Sequence, residues 1–411
     1  MRKLAIVFAV ALLFLGLGSA RAQQSALPEG EGKQLVQGMC TSCHEANLIT
    51  RSSGYSRDGW RESIRAMINL SGSSAEETLT RYLAAHFPPR DHLKPNLVPG
   101  EVSITFREWT VPTLGQRARD PVEGPDGSIW WAGMWASLVG RLNPQTGEVW
   151  EYRLPEKAQP HSVTPDPQGN IWYTGNGNGT IGKLDPRTGA ITEYKMPDPA
   201  ARDPHTAEFD KKGMLWFTLQ QSNMVGRLNP ATGEVKLVTA PKPRSRPYGI
   251  KVAADGSLWV ACNGSNCLLK VDPETMAVRE YPLPDPQTTV RRLDIASDGT
   301  IWYVNSGRGR LGRLDPKTGQ VKEWPSPSGP KSHPYAIAVV NDVVWYNESA
   351  QRPDTLVRFD PKTERFQSWP IPSGGIYSGI LRHMRPTKDG NLLIHQTATN
   401  RIMLVTVRRP N

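Results

Sequence analysis

Two cysteines and a histidine near the N-terminus have the spacing of a haem attachment site. The chain reads Cys40-Thr41-Ser42-Cys43-His44. This spacing lets both thiols bind a haem covalently while the adjacent imidazole binds the iron. A thioredoxin-like redox pair would not need His44, and a zinc site would need a second cysteine pair at suitable spacing. The pattern therefore favours one covalent haem c, held by Cys40, Cys43 and His44.

The other axial ligand of the iron is expected on a following helix. Ser56 is a predicted helix cap, and Trp60, Ile64 and Met67 recur at helical spacing on one face. Met67 is our predicted sulfur ligand, because the haem must lie against this helix. His86 is the alternative and would give a lower reduction potential.

A third helix completes a small helical domain. Ser74 and Glu77 form a predicted capping box, and Pro88-Pro89 ends the helix. The segment from Trp60 to Met67, followed by Tyr82-Leu83-Ala84, resembles the haem domain of quinohaemoprotein amine dehydrogenases and related small cytochromes c. We therefore expect a cytochrome c domain at 23–92 and a Pro-rich linker at 93–100.

The first residues have the pattern of a secretory signal peptide. Met1-Arg2-Lys3 is basic, an apolar run from Leu4 to Gly18 follows, and Ala20-Arg21-Ala22 is a small-x-small cleavage site. The run is too short for a membrane anchor. We expect residues 1–22 to be removed after Ala22 and the protein to be periplasmic, where covalent haem attachment takes place.

Cys262 and Cys267 flank a turn-rich tetrapeptide between two apolar segments. In an oxidising compartment this arrangement favours a disulfide across a hairpin.

The rest of the chain repeats with a period of 42 to 44 residues. Each copy has a tryptophan after a turn, and then two further strand patterns that are separated by a turn of the type Asp/Asn-Pro-x-Thr-Gly. The tryptophans are Trp130, Trp172, Trp216, Trp259, Trp302 and Trp345. Leu393 occupies this place in a seventh copy. Four short strands per repeat are typical of a β-propeller blade. The last copy has only three strands, and residues 100–112 match the missing one. We therefore predict an all-β, seven-bladed propeller at 101–411, closed by its N-terminal strand.

Polar residues recur at one register ahead of these tryptophans. Ten or eleven positions before each tryptophan or its equivalent lie seven residues that we call the rim residues: Arg119, His161, His205, Tyr248, Arg291, Tyr335 and Arg382. The loops entering the innermost strands converge on one face of a propeller, so these side chains should share the channel mouth. Glu348 is a further carboxylate expected there. Three arginines and two tyrosines favour an anionic or hydrogen-bonding ligand.

The repeats resemble the streptogramin B lyase (virginiamycin B lyase) family over roughly residues 100–411. The resemblance is carried by Pro247-Tyr248-Gly249-Ile250, Leu215-Trp216-Phe217-Thr218, Val225-Gly226-Arg227-Leu228 and closing strands such as Glu280-Tyr281-Pro282-Leu283-Pro284. Family lyases open a cyclic ester by elimination, with Mg²⁺ and histidines in adjacent blades.

Mapped onto this chain, the resemblance implies catalytic roles for His161, His205 and Asp203. Gln220 stands where a second carboxylate would complete the Mg²⁺ site, and the histidine pair falls in the second and third blades instead of the last two. Both departures weaken the match to a Mg²⁺-dependent site.

Three functions remain open. The first is an exported c-type cytochrome that exchanges electrons with a redox partner protein while its propeller binds an anionic small molecule or substrate. The second is a carbon–oxygen lyase, and the third is a non-catalytic propeller that docks the cytochrome onto a redox enzyme. The formal charge of +10 suits acidic partners or anions, and no lysine-rich run or aromatic-basic pattern indicates nucleic acid. No stretch after the leader predicts stable membrane insertion.

Overall fold

The computed structural model describes residues 27–42, 46–50, 52, 54–90, 93–375 and 381–408. The predicted signal peptide and the predicted haem ligands Cys43 and His44 lie outside these residues. Within the described part, no helix is long and apolar enough to span a membrane.

The N-terminal part is helical and has a core of its own. Its helices are α1 (Lys33–Leu35), a π-helical turn (Val36–Cys40), α2 (Asn47–Thr50), α3 (Arg57–Met67) and α4 (Ser74–His86). As predicted, the side chain of Ser56 caps α3 by accepting a hydrogen bond from the backbone N–H of Gly59, at 3.1 Å. The core contains Val36, Trp60, Ile64, Leu79, Tyr82, Leu83 and Phe87.

The cap of α4 differs from the prediction by one residue. Ser73, not Ser74, is the N-cap, and its hydroxyl accepts from the backbone N–H of Glu76 at 3.1 Å. Two serines adjoin here, and the sequence alone does not show which one has the extended backbone that a cap requires. Ser74 is instead the first residue of the helix.

The described residues after the linker form seven antiparallel sheets of four strands, which confirms the predicted propeller. Blade 1 contains β2 (Ala118–Glu123), β3 (Ile129–Gly133), β4 (Leu138–Leu142) and β5 (Val149–Arg153); blade 2 contains β6 (Pro160–Pro165), β7 (Ile171–Gly175), β8 (Thr180–Leu184) and β9 (Ile191–Lys195); blade 3 contains β10 (Pro204–Phe209), β11 (Leu215–Leu219), β12 (Met224–Leu228) and β13 (Val235–Thr239). Blade 4 contains β14 (Pro247–Val252), β15 (Leu258–Cys262), β16 (Cys267–Val271) and β17 (Val278–Pro282); blade 5 contains β18 (Val290–Ile295), β19 (Ile301–Asn305), β20 (Arg310–Leu314) and β21 (Val321–Pro325); blade 6 contains β22 (Pro334–Val340), β23 (Val343–Glu348), β24 (Thr355–Asp360) and β25 (Arg365–Pro370).

Blade 7 joins the two ends of the propeller, as the sequence predicts. It contains β26 (Arg385–Pro386), β27 (Leu392–Gln396), β28 (Arg401–Arg408) and, as its outermost strand, β1 (Ser103–Thr110). The pairing of β1 with β28 is antiparallel and runs from Ser103 opposite Arg408 to Thr110 opposite Arg401. This pairing closes the ring and covers an edge that would otherwise be exposed.

The repeated tryptophan ties the strands of a blade together. In blade 2, the indole N–H of Trp172 donates to the carboxylate of Asp166 in the first turn, at 2.9 Å. The same ring stacks on Tyr194 of the outer strand, with centroids 5.6 Å apart, and lies below the ammonium group of Lys183. One side chain therefore contacts three parts of the blade, which explains why it recurs once per repeat.

The helical domain packs on the propeller face where the innermost strands begin. The carbonyl of Ala66, near the end of α3, accepts from the backbone N–H of Gly115 at 2.9 Å and from the side chain of Asn400 at 3.0 Å. Gly115 lies in the loop that leads into β2, and Asn400 lies in the loop after β27. Both loops belong to the face on which the rim residues were predicted.

Candidate functional site at the channel mouth

The rim residues of blades 2 to 6 lie at irregularities of the innermost strands. In blade 3, Pro204 pairs with Leu219, and regular pairing resumes only at Ala207. His205 is the first residue inside this bulge, and His161, Tyr248, Arg291 and Tyr335 occupy the same place in their blades. A bulge releases a side chain from the regular alternation of a strand and directs it elsewhere. The repeated bulge therefore explains why one register carries the polar residues.

Hydroxyl groups on the second strands hold these bulges in place. The hydroxyl of Thr174 accepts from the N–H of Ser162, at 3.0 Å, and donates to the carbonyl of His205, at 2.9 Å. Thr218 makes the equivalent bonds to Thr206 and to the carbonyl of Tyr248, at 3.3 and 2.7 Å. Each threonine thus connects the bulge of its own blade with the rim residue of the next.

The histidines and tyrosines form a continuous row across the channel mouth. The rings of His161 and His205 have centroids 3.4 Å apart, and those of His205 and Tyr248 are 4.1 Å apart. The hydroxyl of Tyr248 lies 2.5 Å from that of Tyr335. The predicted meeting of the two histidines in adjacent blades is therefore what the structure shows.

Arginines surround this row and carry donors without partners. The guanidinium carbons of Arg291 and Arg382 lie 4.7 and 6.0 Å from the centre of the Tyr335 ring. Arg119 is only 1% exposed, and its Nη1 contacts the sulfur of Met134 at 3.1 Å. The Nε groups of Arg119, Arg291 and Arg382, and Nη2 of Arg119, are buried without a hydrogen-bond acceptor among the described residues.

Asp120 is a buried counter-charge that sequence reasoning missed. One carboxylate oxygen, Oδ2, lies 3.2 Å from Nδ1 of His383, 3.6 Å from Nη2 of Arg292 and 3.9 Å from Nδ1 of His161. Burial raises the pKa of Asp120, but His383, Arg292 and Arg119 lower it more, so the pKa lies well below its usual value. Asp120 and Arg292 directly follow rim residues in the chain. This position next to a rim residue was the sequence signal that could have identified them as site residues.

The two rim histidines are neutral near pH 7. Burial lowers the pKa of His161 well below its usual value, and the charge of Arg119 lowers it further. Burial and then Arg292 have the same effect on the pKa of His205. A neutral imidazole can accept a proton, so either histidine has the protonation state of a general base.

Two predicted site carboxylates are engaged elsewhere. Asp203 accepts hydrogen bonds from the backbone N–H groups of Gln221 and Ser222, at 2.5 and 3.0 Å, and therefore holds the turn after β11. Glu348 accepts from the backbone N–H and the hydroxyl of Ser328, and burial raises its pKa. Both carboxylates lie on the mouth face, but their contacts stabilise loops.

The described residues do not fit the Mg²⁺ site that the resemblance implies. No group of three or more His, Cys, Asp or Glu side chains among them is arranged to hold a metal ion. Asp203 is occupied by backbone N–H groups, and Gln220 replaces the second carboxylate. The charges closest to the histidines are guanidinium groups, which repel a cation.

Cys262 and Cys267 face each other across β15 and β16. Their sulfur atoms are 2.9 Å apart, and both side chains are fully buried. They are thiols in this structure, so the disulfide stays a prediction that the close approach supports.

Two of the residues predicted to bind haem, Cys40 and Met67, lie in the described part of the chain. Cys40 ends the π-helical turn and packs at the edge of the helical core, and burial raises the pKa of its thiol to about 11. Met67 is the last residue of α3 and is 37% exposed, while its neighbour Ile68 packs against the core. The ring of the alternative ligand, His86, lies against Tyr82 with centroids 4.5 Å apart.

Comparisons with known proteins agree on the propeller. The sequence profile of the virginiamycin B lyase family matches residues 100–270 and 234–409. A solved streptogramin B lyase superposes with a TM-score of 0.67 and 23% identity, covering 74% of this chain and 98% of the other. A catalytically inactive histidine-to-alanine variant of virginiamycin B lyase from Staphylococcus aureus, solved with quinupristin, gives a TM-score of 0.66 at 23% identity over 74% and 99% of the two chains.

A more distant structure shares the architecture. Hydrazine synthase of Kuenenia stuttgartiensis has a TM-score of 0.58 at 14% identity, covering 72% of this chain and 96% of the other. No curated protein matches the sequence significantly. At these identities the solved structures establish only the fold, whereas the profile match extends over most of the chain. The chain belongs to the virginiamycin B lyase family.

Proposed function

We propose that this protein is an exported c-type cytochrome whose propeller binds an anionic small molecule at the channel mouth. The observation that carries the binding role is the set of buried, unpartnered N–H groups on the side chains of Arg119, Arg291 and Arg382. A buried donor without a partner costs about 1–3 kcal/mol, and more when it is charged. A carboxylate or phosphate at the mouth supplies the acceptors that these groups lack.

The charge balance around the mouth supports an anion as the ligand. Burial lowers the pKa of Arg117 well below its usual value, and the nearby charges of Arg382 and Arg119 lower it further, which shows that three guanidinium groups lie close together here. Among the described residues of the cluster, the carboxylate of Asp120 already contacts His383 and Arg292. An excess of positive charge therefore remains for a ligand.

The electron-transfer role follows from the haem attachment sequence. Cys40 and Cys43 would hold the haem, and His44 and Met67 would ligate its iron; when bound, the group supplies one-electron transfer. The described residues fit this role in two respects. Cys40 lies beside an apolar core, and the sulfur of Met67 belongs to a partly exposed side chain outside that core.

The position of the helical domain supports a link between the two roles. The end of α3 contacts Gly115, two residues before Arg117 and four before Arg119. A redox group in this domain would be close to a ligand at the mouth, while the outer face of the domain stays available to a redox partner.

The haem proposal is tested by an absorption spectrum of the exported protein. We expect a reduced α-band typical of haem c and a sulfur-to-iron charge-transfer band that Met67→Ala abolishes. His86→Ala is the matched control and should retain the band. A protein exported by a host able to attach haem c that contains no covalent haem would contradict the proposal. A wild type that contains covalent haem but lacks this band, and whose haem spectrum changes in His86→Ala but not in Met67→Ala, would transfer the ligand role to His86.

A lyase activity is the second candidate, and the His161–His205 pair favours it. A neutral imidazole can remove the proton alpha to a carbonyl whose beta carbon bears the ester oxygen, while guanidinium groups stabilise the enolate oxygen. Collapse of the enolate breaks the carbon–oxygen bond beta to the carbonyl and gives a double bond and a carboxylate.

Quinupristin is a suitable probe for this second candidate. The product is an isomer of the substrate, so chromatography with ultraviolet detection of the new double bond is the appropriate measurement. We expect the double variant His161→Ala/His205→Ala to lose any turnover of the wild type, whereas His86→Ala should retain it. A wild-type protein that leaves the probe intact has no such activity on this ester.

A further inference from the structure

Tyr248 and Tyr335 form a hydrogen-bonded pair across the channel mouth. Their rings come from blades 4 and 6, with centroids 6.2 Å apart and planes at 66°, and their hydroxyl oxygens are 2.5 Å apart. The exposed fractions of the side chains are only 3% and 5%. Water therefore has little access to the shared proton.

Arginines and neutral histidines face this pair from the neighbouring elements. Arg291 and Arg292 of β18 lie over the Tyr335 and Tyr248 rings, at 4.7 and 5.2 Å. Arg382, which precedes β26, lies 6.0 Å from the Tyr335 ring, and the ring of His333, just before β22, is 5.9 Å away. Arg117 and Arg119 act on both tyrosines from the start of β2, and His205 packs on Tyr248.

Either hydroxyl of the pair can donate the hydrogen bond, so the positions of the arginines distinguish the two tyrosines: Arg291 and Arg382 lie over the Tyr335 ring, and only Arg292 lies over that of Tyr248. If Tyr335 loses its proton, its oxygen can accept the hydrogen bond from Tyr248 and is surrounded by Arg291, Arg292 and Arg382. Tyr248 would then remain the donor. This arrangement places one negative charge among guanidinium groups that each have a nitrogen without an acceptor among the described residues.

We infer that Tyr335 is the proton-exchanging group of the channel mouth: it forms a phenolate that Tyr248 and the arginines hold when no anion is bound, and it takes a proton back when an anion binds. In the first step the O–H bond of Tyr335 breaks and the proton goes to solvent. In the second step the ligand supplies the negative charge, and a proton from solvent restores the phenol. The second step rests on the proposed function, whereas the first does not.

The directions of the pKa shifts agree with this assignment. Burial raises the pKa of Tyr335, but the charges of Arg382 and Arg291 and the hydrogen bond with Tyr248 outweigh it, so the pKa lies below its usual value. Burial and the proximity of Tyr335 raise the pKa of Tyr248 to about 12. Tyr335 is therefore the phenol that loses its proton first, and Tyr248 keeps its proton and donates the hydrogen bond.

Ultraviolet difference titration of the ligand-free protein tests the first step. Tyrosinate absorbs near 295 nm, and an unperturbed tyrosine titrates at about pH 10. We expect the wild type to form one tyrosinate with a midpoint below this pH. This signal should be absent in Tyr335→Phe, moved to higher pH in Tyr248→Phe and kept in the outer-strand control Tyr152→Phe. If folded wild type and Tyr335→Phe titrate identically below pH 9, the inference is wrong.

Adding inorganic phosphate separates this inference from the proposed function. If both are right, phosphate raises the midpoint of the Tyr335 signal and binding takes up a proton. If a tyrosinate forms at low pH but its midpoint does not change with phosphate or other anions, the phenolate is confirmed and the anion site is contradicted. Anion binding that depends on Arg119 without any low-pH tyrosinate upholds the site and overturns the role of Tyr335.

Discussion

At the scale of single residues, the sequence predicted where the site residues lie better than it predicted which groups they contact. The register of the rim residues was enough to place His161 beside His205, because equivalent positions in adjacent blades must be neighbours. It did not show that Asp203 turns its carboxylate to the backbone of Gln221 and Ser222. The side-chain direction there depends on the shape of a turn from another part of the blade, which spacing does not encode.

The buried histidines predict a loss of stability in mild acid. Burial lowers the pKa of His161, His205 and His383 well below the usual value and that of His395 to about 3. These histidines therefore stay neutral in the folded protein, whereas in the unfolded chain they take up protons below about pH 6.5. Stability is fully present above this pH and is lost as the pH falls towards the folded-state pKa values, by up to about 1.4 kcal/mol per histidine and pH unit.

Chemical denaturation between pH 8 and pH 4 measures this effect. We expect His205→Gln to reduce the slope of the unfolding free energy against pH below about pH 6.5. His86→Gln, on the helical domain, should leave the slope of the propeller transition unchanged. Equal slopes for wild type and His205→Gln would show that this histidine is protonated in the folded state.

At the scale of the elements, the periodic tryptophan was a sufficient signal for the blades. Its ring contacts the first turn, the third strand and the outer strand of its own blade, so its period is the period of the fold. The bridging threonines were not predicted, although Thr174 and Thr218 both follow their tryptophan by two positions. Blades 1, 4 and 5 have alanine or valine there, and blade 7 has His395. In blade 6 the equivalent residue, Asn347, makes a similar bridge, because it accepts from the N–H of Ala336 at 2.8 Å and donates to the carbonyl of Leu381 at 3.2 Å.

Thr218→Val tests the importance of these bridges. The substitution keeps the shape but leaves the N–H of Thr206 and the carbonyl of Tyr248 without this partner. We expect a loss of about 1–3 kcal/mol in the free energy of unfolding. Thr192→Val, at an exposed position of the outer strand β9, should change it by less than about 0.5 kcal/mol. Similar effects of the two variants would contradict a bridging role.

At the scale of the whole molecule, the count of strands at the two ends predicted the closure of the ring. Ile104 and Phe106 of β1 pack against the core shared by blades 6 and 7, while Thr105 between them is exposed. The position of the helical domain could not be predicted, because it depends on contacts between loops that are far apart in sequence, such as those containing Gly115 and Asn400.

The closing strand gives a test of the ring as one cooperative unit. Ile104→Asp places a carboxylate against the apolar core, and we expect a loss of about 1–3 kcal/mol in the unfolding free energy of the propeller. Thr105→Asp introduces the same group at the adjacent exposed position and should change it by less than about 0.5 kcal/mol. If Ile104→Asp leaves the propeller transition unchanged in denaturant, β1 does not contribute to the closure.

The central claim is that the unpartnered arginines of the channel mouth bind an anion. The most direct test is the midpoint of thermal unfolding of the propeller as a function of citrate concentration, with acetate as a singly charged comparison at equal ionic strength. A ligand that binds only the folded state raises this midpoint with increasing concentration. We expect citrate to raise it more than acetate does, Arg119→Gln to remove most of the increase, and Arg279→Gln, at an exposed position, to retain it. A wild-type midpoint that does not respond to citrate, or an Arg119→Gln variant that responds as strongly as the wild type, would contradict the claim.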